Sequence, residues 1–207
     1  EVGVYKPLFM EMGRAAKSHP DEMVFSLLKA GSATLCYDGQ YFFDTDHPVY
    51  PNADGTGAAA TVANVVTGTG PAWYLLDTSR AVKPLIFQQR MAPMFTAMFN
   101  EHDQNVFMQD QYLYGVRTRD NVGYGFWQMA FKSQADLTED NFNAAYAAMA
   151  AQTADGGRPL GIKPTLLVVP PQLRTQALNI TKAAYKNMGA TNVNAGVAQA
   201  DIALPVL

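Results

Sequence analysis

The sequence predicts an α+β fold, because helix-forming and strand-forming segments are grouped along the chain and do not alternate. Apolar residues recur at helical spacing between Pro7 and Ala30. A β-prone centre runs from Ala72 to Phe131, and the part after Leu137 has the order helix, strand, helix. Alternating strands and helices would instead predict one parallel sheet with helices on both faces.

The first segment predicts an amphipathic helix from Pro7 to Lys17, where proline suits the first turn. Pro20 interrupts the apolar pattern, and Ser18 before it is a candidate N-cap for a second helix. Pro7 to Ala30 is therefore either two helices or one kinked helix.

Two short β-prone runs, Thr34 to Tyr37 and Gln40 to Phe43, flank Asp38-Gly39 and predict a hairpin. Pro48 to Pro71 follows, with Asp54 as its one charged residue, and predicts a long exposed loop with a short element near residues 61–66. Loops of this length are usually functional, so contact between subunits is its expected use.

The centre predicts two pairs of strands, with residues 72–77 and 85–89 forming the first pair. Residues 104–116 and 124–131 form the second pair, joined by a polar turn at 117–121.

In the last third, Thr138 is a candidate cap for a helix whose apolar face includes Phe142 and Met149. Residues 165–169 predict a short buried strand, Pro171 predicts the start of another helix, and residues 202–207 predict a final strand.

Composition limits the possible functions. The chain has 207 residues, a formal net charge of −3 and 16% charged residues, which does not suggest a nucleic-acid binder with a basic face. Its one cysteine excludes an internal disulfide and fits synthesis inside a cell. No apolar run approaches the roughly 18 residues that a membrane span requires, so no membrane partner is expected.

Polar clusters give little support for an enzyme. Asp44, Asp46 and His47 offer metal-ligand types, but neighbours on an extended segment point to opposite faces, which favours a hydrogen-bonded turn. Glu101-His102-Asp103 predicts a solvated loop, and Cys36 predicts a small buried apolar side chain. We therefore expect no catalytic residues, no cofactor and no bound metal.

The aromatic-rich strands present a choice between a sheet core and a surface that contacts another subunit. A sheet core is the simpler interpretation, and Tyr, Trp and Arg are also the usual anchors of interfaces. The candidate subunit-interface residues are Tyr112, Tyr114, Arg117, Arg119, Tyr124 and Trp127.

Five separated segments carry a resemblance to a known family. They are Tyr5–Arg14 (YKPLFMEMGR), Cys36–Phe43 (CYDGQYFF), Asp46–Asn52 (DHPVYPN), Tyr74–Pro84 (YLLDTSRAVKP) and Gly123–Ala130 (GYGFWQMA). In this order and spacing the chain resembles the major head (capsid) subunit of Mu-like bacteriophages and prophages, from about Val4 into its last quarter.

The resemblance implies a structural protein with the Hong Kong 97-like capsid fold. It implies a peripheral domain with a spine helix, at about 1–47 and 132–190, and an axial domain with connecting strands, at about 48–131 and 191–207. Because the chain begins at Glu1, the expectation is that it lacks the N-terminal arm and most or all of the extended loop of the family. As a fragment it would be a monomer or small oligomer.

The implied function is self-assembly into hexamers and pentamers that close an icosahedral shell around double-stranded DNA. Copies of the chain are the implied partners, with scaffold, portal or decoration proteins as further candidates and no sequence-specific nucleic acid. The implied location is the virion, and the host cytoplasm during assembly. The alternatives are an encapsulin-type compartment shell and a metal-dependent hydrolase that uses Asp44, Asp46 and His47.

Overall fold

The structure is a computed structural model that describes residues 2–182 and 198–201. Its elements, in chain order, are α1 (Val2–Ala30), β1 (His47–Val49), β2 (Ala60–Val62), β3 (Val65–Val66), β4 (Trp73–Leu76), β5 (Leu85–Met98), α2 (Gln104–Gln109), β6 (Leu113–Tyr124), β7 (Ala130–Ser133), α3 (Glu139–Ala150), β8 (Leu166–Val169), α4 (Arg174–Thr181) and β9 (Ala198–Asp201). Short 3-10 turns lie at 127–129, 155–157 and 171–173.

The chain divides into two compact units. One contains residues 1–27 and 87–123, and the other contains residues 28–86 and 124–207. These bounds differ from those of the predicted peripheral and axial domains, whose assignment stays a prediction.

The N-terminal segment forms one helix that continues through both Pro7 and Pro20. A proline in a helix removes one backbone hydrogen bond, and the remaining bonds on either side keep α1 continuous. The alternative of two helices is therefore wrong. Ser18 does not cap a helix, because its hydroxyl donates to the carbonyl of Ala15, within α1.

The first unit is built from α1 and a two-stranded sheet of β5 and β6, with α2 in the connection between them. We refer to β5, α2 and β6 together, residues 85–124, as the ribbon. Two predictions fail here. Residues 104–109 are helical and not a strand, and the predicted turn at 117–121 lies inside β6.

The second unit contains a five-stranded mixed sheet with the order β3-β7-β4-β8-β9. β4 lies in the middle and is antiparallel to both β7 and β8, whereas the two outer pairs, β3 with β7 and β8 with β9, are parallel. The predicted strands at 72–77 and 165–169 are confirmed. β9 was not predicted, and the strand predicted at 202–207 lies outside the described residues.

The core of this unit packs α3 and α4 with the apolar strands of the sheet. Its members include Trp73, Leu75, Phe131, Phe142, Met149, Leu167 and Ile180. The predicted cap of α3 is confirmed, because the Thr138 hydroxyl accepts a hydrogen bond from the backbone N–H of Asn141 at 3.2 Å.

The predicted hairpin at 34–43 forms as a tight turn with a single antiparallel bridge between Leu35 and Tyr41. Gly39 has a φ of 85°, which glycine adopts without strain. Farther along the chain, β2 and β3 are the short element predicted near residues 61–66, and β2 pairs antiparallel with β1.

None of the helices in the described ranges combines the length and the apolar character that a membrane crossing requires.

Candidate functional site

The ribbon exposes apolar side chains along its length. Neither β5 nor β6 has a single buried residue, and α2 has none either. The six large apolar side chains of the ribbon with the greatest exposure are Phe107 (80%), Met108 (68%), Tyr112 (57%), Phe95 (55%), Phe99 (53%) and Met94 (52%). A surface of this kind is typical of a site that another protein covers.

Polar groups hold the connection between the strands. The Asn105 side-chain amide donates to the carbonyl of Gln111 at 2.6 Å, and Asp103 accepts from the backbone N–H of Asn100 at 3.0 Å. The C-terminal cap of α2, Asp110, has a φ of 50°. These contacts fix the short helix while the ring of Phe107 remains almost fully in solvent.

The first unit also contains an apolar cavity of about 320 Å³. Residues of α1 and of the ribbon line it: Phe9, Met12, Gly13, Ala16, Pro93, Phe95 and Val116. The ring of Phe9 makes edge contacts with Tyr114 at 5.0 Å and with Phe95 at 6.1 Å, measured between ring centroids. The apolar surface is therefore continued from the ribbon onto α1, where Tyr5, Leu8 and Met10 are also exposed.

The candidate interface residues fall into two groups. Four of them lie exposed at the start of β6 or along it: Tyr112, Tyr114, Arg117 and Arg119. Tyr124 is partly buried and its ring stacks on Phe42 at 4.3 Å. Trp127 is 1% exposed and lies inside its own unit, so it has no surface to offer a neighbour. Trp127 is therefore buried and Tyr112 and Tyr114 are exposed, while their contact with another subunit stays a prediction.

A second site is a partly buried polar cluster of Cys36, Asp38 and His47, which we call the Cys–Asp–His cluster. The Asp38 carboxylate accepts a hydrogen bond from the Cys36 thiol at 2.8 Å and lies 2.7 Å from His47 Nδ1. His47 is fully buried and stacks on Trp127 with ring centroids 3.9 Å apart. Its second nitrogen, Nε2, has no hydrogen-bond partner among the described residues.

Burial and hydrogen bonding shift the proton affinities in this cluster. Burial, and then the hydrogen bond to Asp38, raises the pKa of the Cys36 thiol to about 12. Burial also disfavours the charged form of Asp38, but the hydrogen bonds from Cys36 and His47 outweigh it and lower the pKa of that carboxyl. At neutral pH the thiol is therefore protonated and the carboxyl is ionised.

The side chains of Asp44, Asp46 and His47 do not come together, in line with the expectation from an extended segment. Asp44 accepts from the backbone N–H of Thr45 at 2.8 Å and Asp46 is exposed, while His47 turns to Asp38. Successive residues of an extended chain point in different directions, which explains why the three side chains are apart. Sequence reasoning missed Asp38 as a neighbour of His47. The Asp38-Gly39 turn brings the two side chains together, and no sequence motif has a spacing that indicates this contact.

The chain matches known families and proteins over most of its length. The model of the family described as "Mu-like prophage major head subunit gpT" matches residues 1–205. The major capsid protein of Escherichia phage Mu is 48% identical over 196 residues, covering 93% of this chain and 64% of that protein. The Mu-like prophage FluMu major head subunit of Haemophilus influenzae is 50% identical over 183 residues, covering 86% of this chain and 59% of that protein. The chain thus spans less than two thirds of the length of both relatives.

The chain is also similar to solved structures from bacteriophage JBD30. A chain from the procapsid of bacteriophage JBD30 aligns with a TM-score of 0.84 at 58% identity, covering 97% of this chain and 68% of that one. A chain from the JBD30 capsid aligns with a TM-score of 0.77 at 39% identity, covering 98% of this chain and 68% of that one. Both similarities extend over nearly all of the chain described here.

Proposed function

Because the chain belongs to the family of Mu-like prophage major head subunits, we propose that it builds the shell of a phage head by associating with copies of itself. The shell would be icosahedral, made of hexamers and pentamers, and would enclose double-stranded DNA. The protein would act in the virion, after assembly in the host cytoplasm. Its role is structural, with no catalytic residues.

The exposed apolar ribbon is the observation that carries this proposal. A two-stranded sheet is marginally stable in water unless a further layer covers an apolar face. The ribbon has no buried residue in either strand, and Arg90 is the one charged residue between Leu85 and Phe99. A neighbouring copy that covers β5 would therefore bury apolar surface at little cost in desolvated charge.

The finer architecture is part of the proposal. The 29-residue α1 would be the spine helix of a Hong Kong 97-like fold. The ribbon would be its extended loop, and this assignment weighs against the expectation that the chain lacks that loop. The exposed residues 51–61 stay a candidate for a second contact between subunits.

Further partners belong to the proposal. One similar structure is a JBD30 capsid decorated with minor capsid protein trimers, with a TM-score of 0.78 at 35% identity, covering 98% of this chain and 67% of that one. A decoration protein is thus a natural partner, while scaffold and portal proteins follow from the family alone. The encapsulin-type shell and the hydrolase gain no support from the relatives found.

Electron microscopy of particles tests the proposal directly. The complete open reading frame that encodes this chain is expressed alone, as wild type and with Phe107→Ser and Met108→Ser together. We expect closed shells from the wild type and at least about tenfold fewer from the double variant, because two exposed anchors are lost.

Val82→Ser is the matched control, since Val82 is 45% exposed in the other unit. This variant should assemble like the wild type, and circular dichroism should show all three proteins folded. Normal shells from the double variant would show that the ribbon does not contribute to the contact between subunits. Absence of ordered particles from the wild type under all assembly conditions would contradict the function itself.

A further inference from the structure

We propose that Cys36, Asp38 and His47 form a binding site for one divalent transition-metal ion of the zinc class. The ion would link the turn at residues 35–41 to strand β1. This inference does not rest on the proposed function, because it concerns a cluster within one unit of one chain.

The ligand types in the cluster select the class of metal. A thiolate, an imidazole and a carboxylate are the three ligands that zinc takes in proteins, and the hard cations calcium and magnesium prefer oxygen alone. One atom from each of Cys36, Asp38 and His47 lies within 4.8 Å of the other two. Among the described residues, no other group of three or more His, Cys, Asp or Glu side chains meets this spacing.

The distances require only small movements. In a tetrahedral zinc site, ligand atoms about 2.0 to 2.3 Å from the metal lie roughly 3.3 to 3.8 Å from one another. The Asp38 carboxylate lies 2.8 Å from the Cys36 sulfur and 2.7 Å from His47 Nδ1, so each of these pairs would open by about 1 Å or less. Cys36 and Asp38 belong to a partly exposed turn, which gives both the freedom to move and a path for the ion.

The buried imidazole has the orientation that this site needs. His47 is 0% exposed, yet its Nε2 finds no partner in the described part of the chain. Its Nδ1 faces the Asp38 carboxylate at 2.7 Å, so the proton between these two atoms lies where the ion would bind. An ion bound by both Nδ1 and the Asp38 carboxylate would take the place of their direct contact, and the bound imidazole would carry its proton on Nε2.

The charges and protons balance. The thiol proton of Cys36 is released to solvent when the sulfur binds the ion, and the imidazole remains neutral. One divalent ion, one thiolate and one carboxylate then sum to zero, which suits a half-buried site. The phenols of Tyr37 and Tyr124 also lie near the thiol, and burial raises the pKa of both, so they stay uncharged near neutrality.

Cobalt titration of the purified chain tests the site, because a cobalt–thiolate bond gives a charge-transfer absorption that cobalt bound to oxygen and nitrogen lacks. We expect this band to saturate at one ion per chain. Affinity should rise about tenfold per pH unit from pH 7 to 8.5, since one thiol proton is displaced. Zinc at a hundredfold excess over its Kd should raise the melting temperature by about 5 °C.

Cys36→Ser is the decisive variant, because the residue is partly exposed and the hydroxyl preserves the fold. It should lose the charge-transfer band and at least tenfold in zinc affinity. Asp46→Asn and His102→Ala are the controls, because they remove potential metal ligands outside the cluster. Both variants should keep the charge-transfer band and the zinc affinity of the wild type. The proposal is overturned if the wild type shows no thiolate band at stoichiometric cobalt, or if the band survives in Cys36→Ser.

Discussion

The two larger sheets of the described chain each contain an apolar strand, β4 in one and β5 in the other, but these strands have opposite environments. All four residues of β4 are buried, as are three of the four in β8. In the ribbon, 26 residues of β5 and β6 contain none that is buried, counting 14 and 12 residues in the two strands. The apolar content of a strand therefore does not decide its burial, whereas the number of layers packed on it does.

The helices α3 and α4 bury strand residues of the five-stranded sheet, whereas α1 contacts the ribbon without burying any of its strand residues. Phe142 and Met149 of α3 and Ile180 of α4 pack against strand residues in one core. The ribbon has only two strands, so its apolar faces are satisfied in full only when another surface covers them. The five-stranded sheet stabilises the folded monomer, and the ribbon is available to stabilise an assembly.

Hydrogen exchange should show the largest difference between the two sheets. Opening of β4 and β8 should approach the free energy of global unfolding, whereas the ribbon strands should open at close to no cost in the free chain. We therefore expect exchange at least about a thousandfold slower in β4 than in β5. Assembled particles should show strong protection of β5. Equal protection of both sheets in the free chain would break the comparison.

Truncation of one leucine in each sheet should sharpen the comparison between the five-stranded sheet and the ribbon. Leu75 in β4 is 0% exposed, and Leu113 in β6 is 49% exposed. Leu75→Ala should lower the free energy of unfolding by about 2–5 kcal/mol, because it leaves a cavity in a closed core. Leu113→Ala should change it by about 0.5 kcal/mol or less. Urea denaturation of both variants measures this, and a larger loss at Leu113 would contradict the assignment of an open surface.

The sequence predicted the covered parts of the molecule well. The Thr138 cap and the strand around Leu167 depend on local patterns, and burial on one side preserves those patterns. The turn at Asp38-Gly39 was found for the same reason, since glycine is required there for a positive φ.

The ribbon was predicted poorly because its strands have no buried face. Alternation of apolar and polar residues comes from burial on one side, so β6 shows a polar run at 117–121 that looks like a turn. The Cys–Asp–His cluster was missed for another reason. His47 meets Asp38 through the tertiary position of β1, and short-range spacing carries no signal for that.

A buried polar group in the covered unit should contribute more than an exposed one in the ribbon. Asn64 is 1% exposed, donates to the carbonyl of Phe42 at 2.8 Å and accepts from the N–H of Asp44 at 2.9 Å. Asn64→Ala should cost about 1–3 kcal/mol, because buried backbone groups lose their partners. Asn121→Ala in exposed β6 should cost about 0.5 kcal/mol or less. Thermal and urea unfolding of the pair give the comparison, and equal losses would refute it.

The smallest expected effect is a pH dependence that belongs to the covered unit. Asp77 follows β4 and is 1% exposed. Burial disfavours its charge, but hydrogen bonds from Ser79 and Lys163 outweigh that and lower the pKa of Asp77. A folded pKa below the unfolded value means that the stabilisation is present above about pH 4 and is lost as pH falls through the folded pKa. Urea midpoints measured from pH 5 to pH 2 should therefore fall less steeply in Asp77→Asn than in the wild type. Exposed Asp46→Asn serves as the control and should follow the wild-type slope, whereas an unchanged slope in Asp77→Asn would show that this carboxylate does not contribute to the acid sensitivity of the unit.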